Sequence, residues 1–260
     1  GAAFYWRGAQ FEAQKMILDI DAGNSFVKWR LNGQDGTFTR GSQPTNVVLT
    51  QGLDLAAVNR LSVARLSSVA NKALAQRLYK QLFDQFSISL QVARVSFAVN
   101  EVTCGYLEPE KLGIDRWLAV VAAYQAYRTS VLVIDAGSAI TLDLVSADGQ
   151  HVGGYILAGS QMMREGLAQG TDAVKVDAID PVNVMVPGKN TLDAVNRGCL
   201  LTAVAVIEKL AAQYPAALVI TGGDSPQLIE ALSLDSFHRP DLVLEGLAVD
   251  GVEFTEVSAH

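Results

Sequence analysis

The chain has 260 residues, half of them hydrophobic and 18% charged, a composition that suits a compact protein with room for two domains of about 100–200 residues each. Its formal net charge of -7 disfavours nucleic acid or an anionic membrane as partner, because both are bound through clustered Lys and Arg. The most apolar stretch, Cys199 to Ile207, is closed by Glu208 and Lys209, short of the roughly 20 apolar residues that span a bilayer.

Gly1 to Lys15 lack the basic start and apolar run of a secretory signal; preceding Met16 and the first clean strand, they are read as a cloning remnant. Met16 to Asp21 (MILDID) is an apolar run tipped by an acid, followed by the turn Ala22-Gly23-Asn24 and the alternating segment Ser25 to Leu31. Leu61 to Ala70 and Leu90 to Val99 read as strands around a helix at Asn71 to Phe86. A helix from Arg116 to Arg128 closes this half.

The opening device then recurs. Val131 to Asp135 (VLVID) leads through Ala136-Gly137-Ser138 into Ala139 to Val145, so IDAGNSFVKW at Ile20 lies over IDAGSAITLD at Ile134. One echo at this distance marks a duplicated domain rather than a repeat array. Val152 to Leu157 continues the sheet, Thr191 to Tyr214 is a long amphipathic helix, and Leu218 to Thr221 is a buried strand before Gly222-Gly223-Asp224. These elements predict an α/β fold of two lobes, 16–128 and 129–260, with an active-site cleft between them. Cys104 and Cys199, far apart and without ligand spacing, read as buried thiols in a reducing cytoplasm.

An acid at a strand tip followed by Gly lets the backbone approach a phosphate while the carboxylate faces a metal ion. Asn24 and Ser25 add donors and Lys28 adds charge. Asp-Ala-Gly-Asn is also an ordinary hairpin turn, but two copies fit phosphoryl transfer, which needs positioning and charge neutralisation around a triphosphate. Asp115, just before a helix, is the candidate general base, and its plainer role is an N-cap; the helix dipole favours its ionised form and makes it a weak base. Arg116 offers a two-pronged fork for a substrate carboxylate, or is an ion-paired or surface Arg. Thr191 alone resembles an N-cap, and Thr221-Gly222-Gly223-Asp224 a turn after a strand.

DAGNSFVKW at Asp21, GIDRW at Gly113, DAGSAITLD at Asp135, GGYILAG at Gly153, GKNT at Gly188 and TGGD at Thr221, in that order, resemble the type III pantothenate kinase family. That family lies within the acetate and sugar kinase, heat-shock protein 70 and actin superfamily. The resemblance runs from Met16 onward and implies two ribonuclease H-like (actin-like ATPase) lobes with mixed sheets flanked by helices. It implies ATP-dependent phosphorylation of pantothenate, the first step toward coenzyme A, with Mg²⁺ and a monovalent cation (K⁺ or NH₄⁺), in a homodimer. Carried over by residue, Asp21 holds Mg²⁺, and Asp21, Ala22, Gly23, Asn24, Ser25, Phe26, Val27 and Lys28 form the first ATP loop. Ser138 touches ATP in the second loop, Gly222 and Gly223 approach adenosine, and Asp135 binds the monovalent cation. Tyr106, Gly113, Ile114, Asp115, Arg116 and a Thr191 from the partner subunit contact pantothenate, with Asp115 as the base.

The chain departs from the family in having Ser25 and Ser138 where Thr is usual and Ala158 where Pro is usual; the hydroxyls are kept. His151, His238 and His260 have no paired spacing and receive no role. Asp54, Glu108 and Glu110 read as solvated surface, and Met162 and Met163 as packing. Two alternatives stand beside this reading: a kinase of the same fold acting on a sugar or N-acyl amine, and a nucleotide-binding regulator without turnover.

Overall fold

A computed structural model describes residues 16–33, 35–68, 72–170 and 184–257. Gly1 to Lys15, Ala70 and Asn71, on which the cloning remnant, one strand end and one helix start were placed, lie outside the described residues. In chain order the elements are β1 (Ile17–Ala22), β2 (Phe26–Asn32), β3 (Phe38–Pro44), α1 (Thr45–Gln51), β4 (Val63–Ser68), α2 (Lys72–Phe86) and β5 (Leu90–Arg94). Two-residue strands β6 (Ala98–Val99) and β7 (Val102–Thr103) and a 3-10 turn at Pro109–Lys111 lead to α3 (Ile114–Tyr127). There follow β8 (Val131–Ala136), β9 (Ala139–Val145), β10 (His151–Ala158), α4 (Ser160–Gly170), α5 (Thr191–Gln213) and β11 (Ala217–Thr221). The chain ends with α6 (Ser225–Ala231), β12 (Phe237–His238), α7 (Leu242–Leu247) and β13 (Glu253–Glu256).

Two compact units divide the chain: residues up to Val92 with the segment from Phe254, and Ala93–Glu253. This division differs from a lobe boundary after Arg128, because α3 packs on α7, β8 and β9 and so belongs with the second unit.

The first unit is built on a sheet of order β13-β5-β4-β1-β2-β3. The strands β1, β2 and β3 form an antiparallel meander, while β4 runs parallel to β1 and β5 parallel to β4. The helix α2 buries Leu74, Leu78 and Leu82, one stripe at helical spacing, in a core with Leu18, Ile20 and Leu66. In the second unit the order is β10-β9-β8-β11-β12, with β8, β9 and β10 antiparallel and β11 and β12 parallel to β8. The two sheets thus share one plan: an antiparallel three-strand meander extended by parallel strands across its first strand. The sequence echo is therefore a topological one, and the mixed sheets flanked by helices are those the α/β reading expects.

The first strand of each plan, β1 or β8, is internal to its sheet, which is why β8 reads as an apolar run up to its acid and why Asp19, the charged residue within β1 ahead of its tip, is fully buried and paired with Arg65 at 2.6 Å. The helix α3 is buried on almost every side from Arg116 to Tyr124, as its composition requires. The expected strand Leu90 to Val99 is broken into β5 and β6, and Met162 is 51% exposed rather than packed. Both cysteines are buried and unpaired. No helix among the described residues is long and apolar enough to cross a membrane.

Candidate active site

Each acid-tipped strand ends in a tight loop. Asp21 is directly opposite Lys28 on β2 and beside Ser67 on β4. Directly opposed residues of an antiparallel pair share a sheet face, so Lys28 flanks the acid. The loop closes through Gly23 N–H donating to Phe26 O at 3.0 Å, leaving Asn24 and Ser25 exposed. Thr45, at the start of α1, pins it twice: its N–H donates to Ser25 O at 3.0 Å and its hydroxyl to Gly23 O at 2.9 Å.

In the second unit Asp135 is paired with Thr141 on β9 and Thr221 on β11. Gly137 N–H donates to Ala139 O at 3.0 Å, and Ser138, exposed at the tip, accepts from Gly159 N–H at 3.0 Å through its carbonyl. Gly222 follows β11 at φ +96°, and a Cβ there would lie 2.5 Å from an Asp135 carboxylate oxygen and 2.2 Å from Ala136 O. Only glycine fits such a close approach in left-handed backbone. The TGGD segment is therefore more than a turn after a strand: it is pressed onto the tip of β8, where Asp224 N–H donates to Ala136 O at 2.9 Å.

A second constellation gathers at the start of α3. Gly113, not Asp115, occupies the N-cap position, and Asp115 is the second helical residue, its Oδ1 accepting from Arg116 N–H at 2.8 Å. Burial pushes the Asp115 carboxyl up; the Arg116 amide and guanidinium oppose this without overcoming it, and the charge of Asp143 adds to the rise. The helix dipole is expected to favour the ionised form; at this site burial shifts the carboxyl in the opposite direction.

Arg116, 7% exposed, is an ion-paired Arg. Its Nε donates to Asp143 Oδ2 at 2.8 Å, its Nη2 to Asp143 Oδ1 at 2.6 Å, and its Nη1 to the Tyr106 hydroxyl at 2.9 Å. The side-on fork that the sequence reserves for a substrate carboxylate is thus taken by Asp143. Burial would raise the Asp143 carboxyl, but hydrogen bonds from His151 and Arg116 and the guanidinium charge hold it below the usual carboxylate range. His151, given no role by the sequence, lies 2.9 Å from Asp143 Oδ1 through Nε2 and stacks on Tyr106 with ring centroids 6.0 Å apart. Gly154 makes room for the pair: a Cβ there would lie 2.4 Å from Asp143 Oδ1 and 2.6 Å from Arg116 Nη2.

Sequence reasoning missed Asp143 and His151. Asp143 was visible as the last residue of the DAGSAITLD echo, but its duty depends on α3 crossing β9, which no local pattern reveals. The structure does not bring Thr191 into this cluster. Asn190 is the true N-cap of α5, accepting from Asp193 N–H at 2.9 Å, and Thr191 is the first helical residue. It lines an open cavity of about 910 Å³ along α4 and α5 whose walls do not include Tyr106, Asp115 or Arg116.

No cluster of three or more His, Cys, Asp or Glu among the described residues forms a metal cage. Mg²⁺ needs none, since it is commonly held by one or two carboxylates, waters and substrate phosphates; a single acid beside a backbone loop, as at Asp21, fits that habit.

The family model described as type III pantothenate kinase matches residues 17–213. A type III pantothenate kinase of Chromohalobacter salexigens is 35% identical over 241 residues, covering 89% of this chain and 86% of that protein. One from Pseudomonas aeruginosa is 35% identical over 247 residues, covering 90% and 98%. Among solved structures, a Campylobacter jejuni protein described as a Baf family transcriptional activator superposes with a TM-score of 0.62 at 20% identity, covering 89% and 95%. A Sinorhizobium meliloti protein described as a 2-dehydro-3-deoxygalactonokinase gives 0.55 at 13%, covering 89% and 97%. At these identities the structural likenesses speak for a common fold alone.

Proposed function

Because the chain belongs to the type III pantothenate kinase family, we propose that it transfers the γ-phosphoryl of ATP to the terminal hydroxyl of pantothenate, giving 4'-phosphopantothenate, the first step of coenzyme A biosynthesis. The observation that carries the assignment of roles is the Asp115-Arg116 pair at the rigid start of α3, one member a carboxyl raised by burial and the other a guanidinium with protons to spare.

In this reading Asp115 accepts the proton of the attacking hydroxyl and orients it, a function that a buried helix start fixes well. Arg116 has five N–H groups, of which Asp143 takes two and Tyr106 one. One proton on each of Nη1 and Nη2 is left for the carboxylate of pantothenate, and Tyr106, Gly113 and Ile114 line the same place. Ala22 to Lys28 receive the ATP phosphates, Ser138 contacts the nucleotide, and Gly222 and Gly223 lie against adenosine. Asp21 would hold Mg²⁺ through water and Asp135 a K⁺ or NH₄⁺ ion; when bound, the cations neutralise charge on the phosphate oxygens. The separation of Thr191 from the Arg116 cluster supports a homodimer in which Thr191 serves the partner's site. The unpaired buried cysteines go with a cytoplasmic location.

The test is incubation of the purified chain with ATP, Mg²⁺ and K⁺ and, separately, pantothenate, pantetheine, sugars and acetate, following ADP. Turnover with pantothenate alone is expected. Preference for a sugar would replace the substrate, and ATP binding without turnover on any acceptor would favour a regulator.

A further inference from the structure

Asp143 and His151, 1% and 0% exposed, are buried more deeply than Asp115, Arg116 or Tyr106, and the phosphoryl transfer described above uses neither. A buried imidazole and carboxylate are costly unless their hydrogen bonds are made. His151 makes one, to Asp143 Oδ1 at 2.9 Å, while its Nδ1 has no partner. This pattern fits the tautomer protonated at Nε2, which donates to Asp143; a second N–H at Nδ1 would be stranded in the interior.

The carboxylate of Asp143 therefore takes three protons: His151 Nε2–H and Arg116 Nη2–H at Oδ1, and Arg116 Nε–H at Oδ2. Its orientation, and with it the plane of the guanidinium, is set from behind by the imidazole. The same ring lies nearly parallel to Tyr106, at an interplanar angle of 12°, and the Tyr106 hydroxyl accepts from Arg116 Nη1. The backbone of His151 is also locked to the Tyr106 segment: a Cβ on Gly105 would lie 1.8 Å from His151 O. One residue thus touches both arms of the proposed carboxylate subsite.

The geometry points to His151 as a positioning residue that fixes the Arg116 guanidinium and the Tyr106 ring so that the two remaining Arg116 protons meet the carboxylate end of the substrate. This rests on the proposed phosphorylation of pantothenate. A ring that only filled space would affect stability and leave substrate discrimination untouched.

Two variants of the full chain separate these roles: His151→Phe keeps a ring and removes the donor, and His151→Gln keeps an N–H donor and removes the ring. Each is assayed with pantothenate and with pantothenol, which bears an alcohol in place of the carboxylate. H151F is expected to raise the KM for pantothenate about tenfold, the scale of one hydrogen bond to a charged group, with kcat and the KM for ATP unchanged and no effect with pantothenol. H151Q is expected to recover most of the loss. A folded H151F that keeps the wild-type KM for pantothenate, or raises the KM equally for both acceptors, overturns the proposal, as does an H151Q that loses as much as H151F.

A second measurement needs no turnover. The Arg116 Nε–H signal in a ¹H–¹⁵N spectrum, identified by its loss in Arg116→Lys, is expected to exchange slowly in the wild type and in H151Q and rapidly in H151F. Slow exchange in H151F removes the positioning role whatever the substrate. If the wild type leaves pantothenate untouched while this signal responds as expected, the acceptor assignment falls and the control of Arg116 by His151 is supported.

Discussion

Arg116 turns the side of its guanidinium to Asp143, Nε to Oδ2 at 2.8 Å and Nη2 to Oδ1 at 2.6 Å, and both side chains are almost sealed from water. Such a pair adds little net stability over an apolar isostere, but losing one partner strands a buried charge and costs about 3–5 kcal/mol. Asp143→Asn is expected to lower the unfolding free energy by this order in urea denaturation, and Arg116→Met to do the same from the other side. Wild-type stability in both would mean the pair is solvated in solution. Burial alone would raise the Asp143 carboxyl, yet its partners hold it down. Its contribution is therefore present above the unfolded value near 3.8 and is lost as pH falls through the depressed folded value.

Asp115 carries the opposite sign. Burial raises its carboxyl, so its contribution to stability is full below the unfolded value and is lost as pH rises through the raised folded one. At neutral pH the ionised form is a cost to the fold, one that the proposed role of Asp115 as base would put to use. Asp115→Asn is expected to reduce kcat by about 10²–10⁴-fold, with ATP affinity retained and stability at neutral pH equal to or above that of the wild type. In the wild type, kcat/KM for pantothenate should fall on acidification at a pH above 3.8, and that limb should be missing from the residual activity of D115N. Unchanged turnover would remove Asp115 from the chemistry.

The parts of the fold legible in sequence are those whose burial is written into local pattern. The tips of β1 and β8 end in Asp-Ala-Gly, α2 carries a leucine stripe, and α5 begins at its expected start and ends one residue before its expected end. The strand β3, FTRGSQP, went unread because it is an exposed sheet edge with no apolar alternation, and α4 because only Ser160 and Arg164 of its eleven residues are buried. The site divides in the same way. Asp21, Asp115, Arg116 and Asp135 stand in short contiguous motifs. The partners around them come from elsewhere in the chain: Thr45 reaches Gly23 across 22 residues, Asp143 reaches Arg116 across 27, and His151 reaches Tyr106 across 45, beyond any local signal.

Thr45 gives one test of such a contact. Its hydroxyl donates to Gly23 O and its amide to Ser25 O, so it holds the loop proposed to receive the ATP phosphates from outside the motif. Thr45→Ala removes the hydroxyl bond, worth about 0.5–1.5 kcal/mol. The expected outcome is a raised KM for ATP with the KM for pantothenate unaltered, measured by steady-state kinetics. An equal effect on both substrates would show that the loop and the acceptor site are not read separately.

Asp135 offers the last test, because its surroundings bind it to two roles at once. Its backbone is held between Thr141 and Thr221, and its carboxylate lies against Gly222, so close that no side chain is tolerated there. An acid in that position can hold a monovalent cation, or can serve only to brace the Gly222-Gly223 turn. Asp135→Ala separates the alternatives when activity is compared in sodium and potassium buffers. For a cation ligand, the variant should lose the potassium response and show the same low rate in both salts. For a brace, it should keep the potassium-to-sodium ratio while the KM for ATP rises.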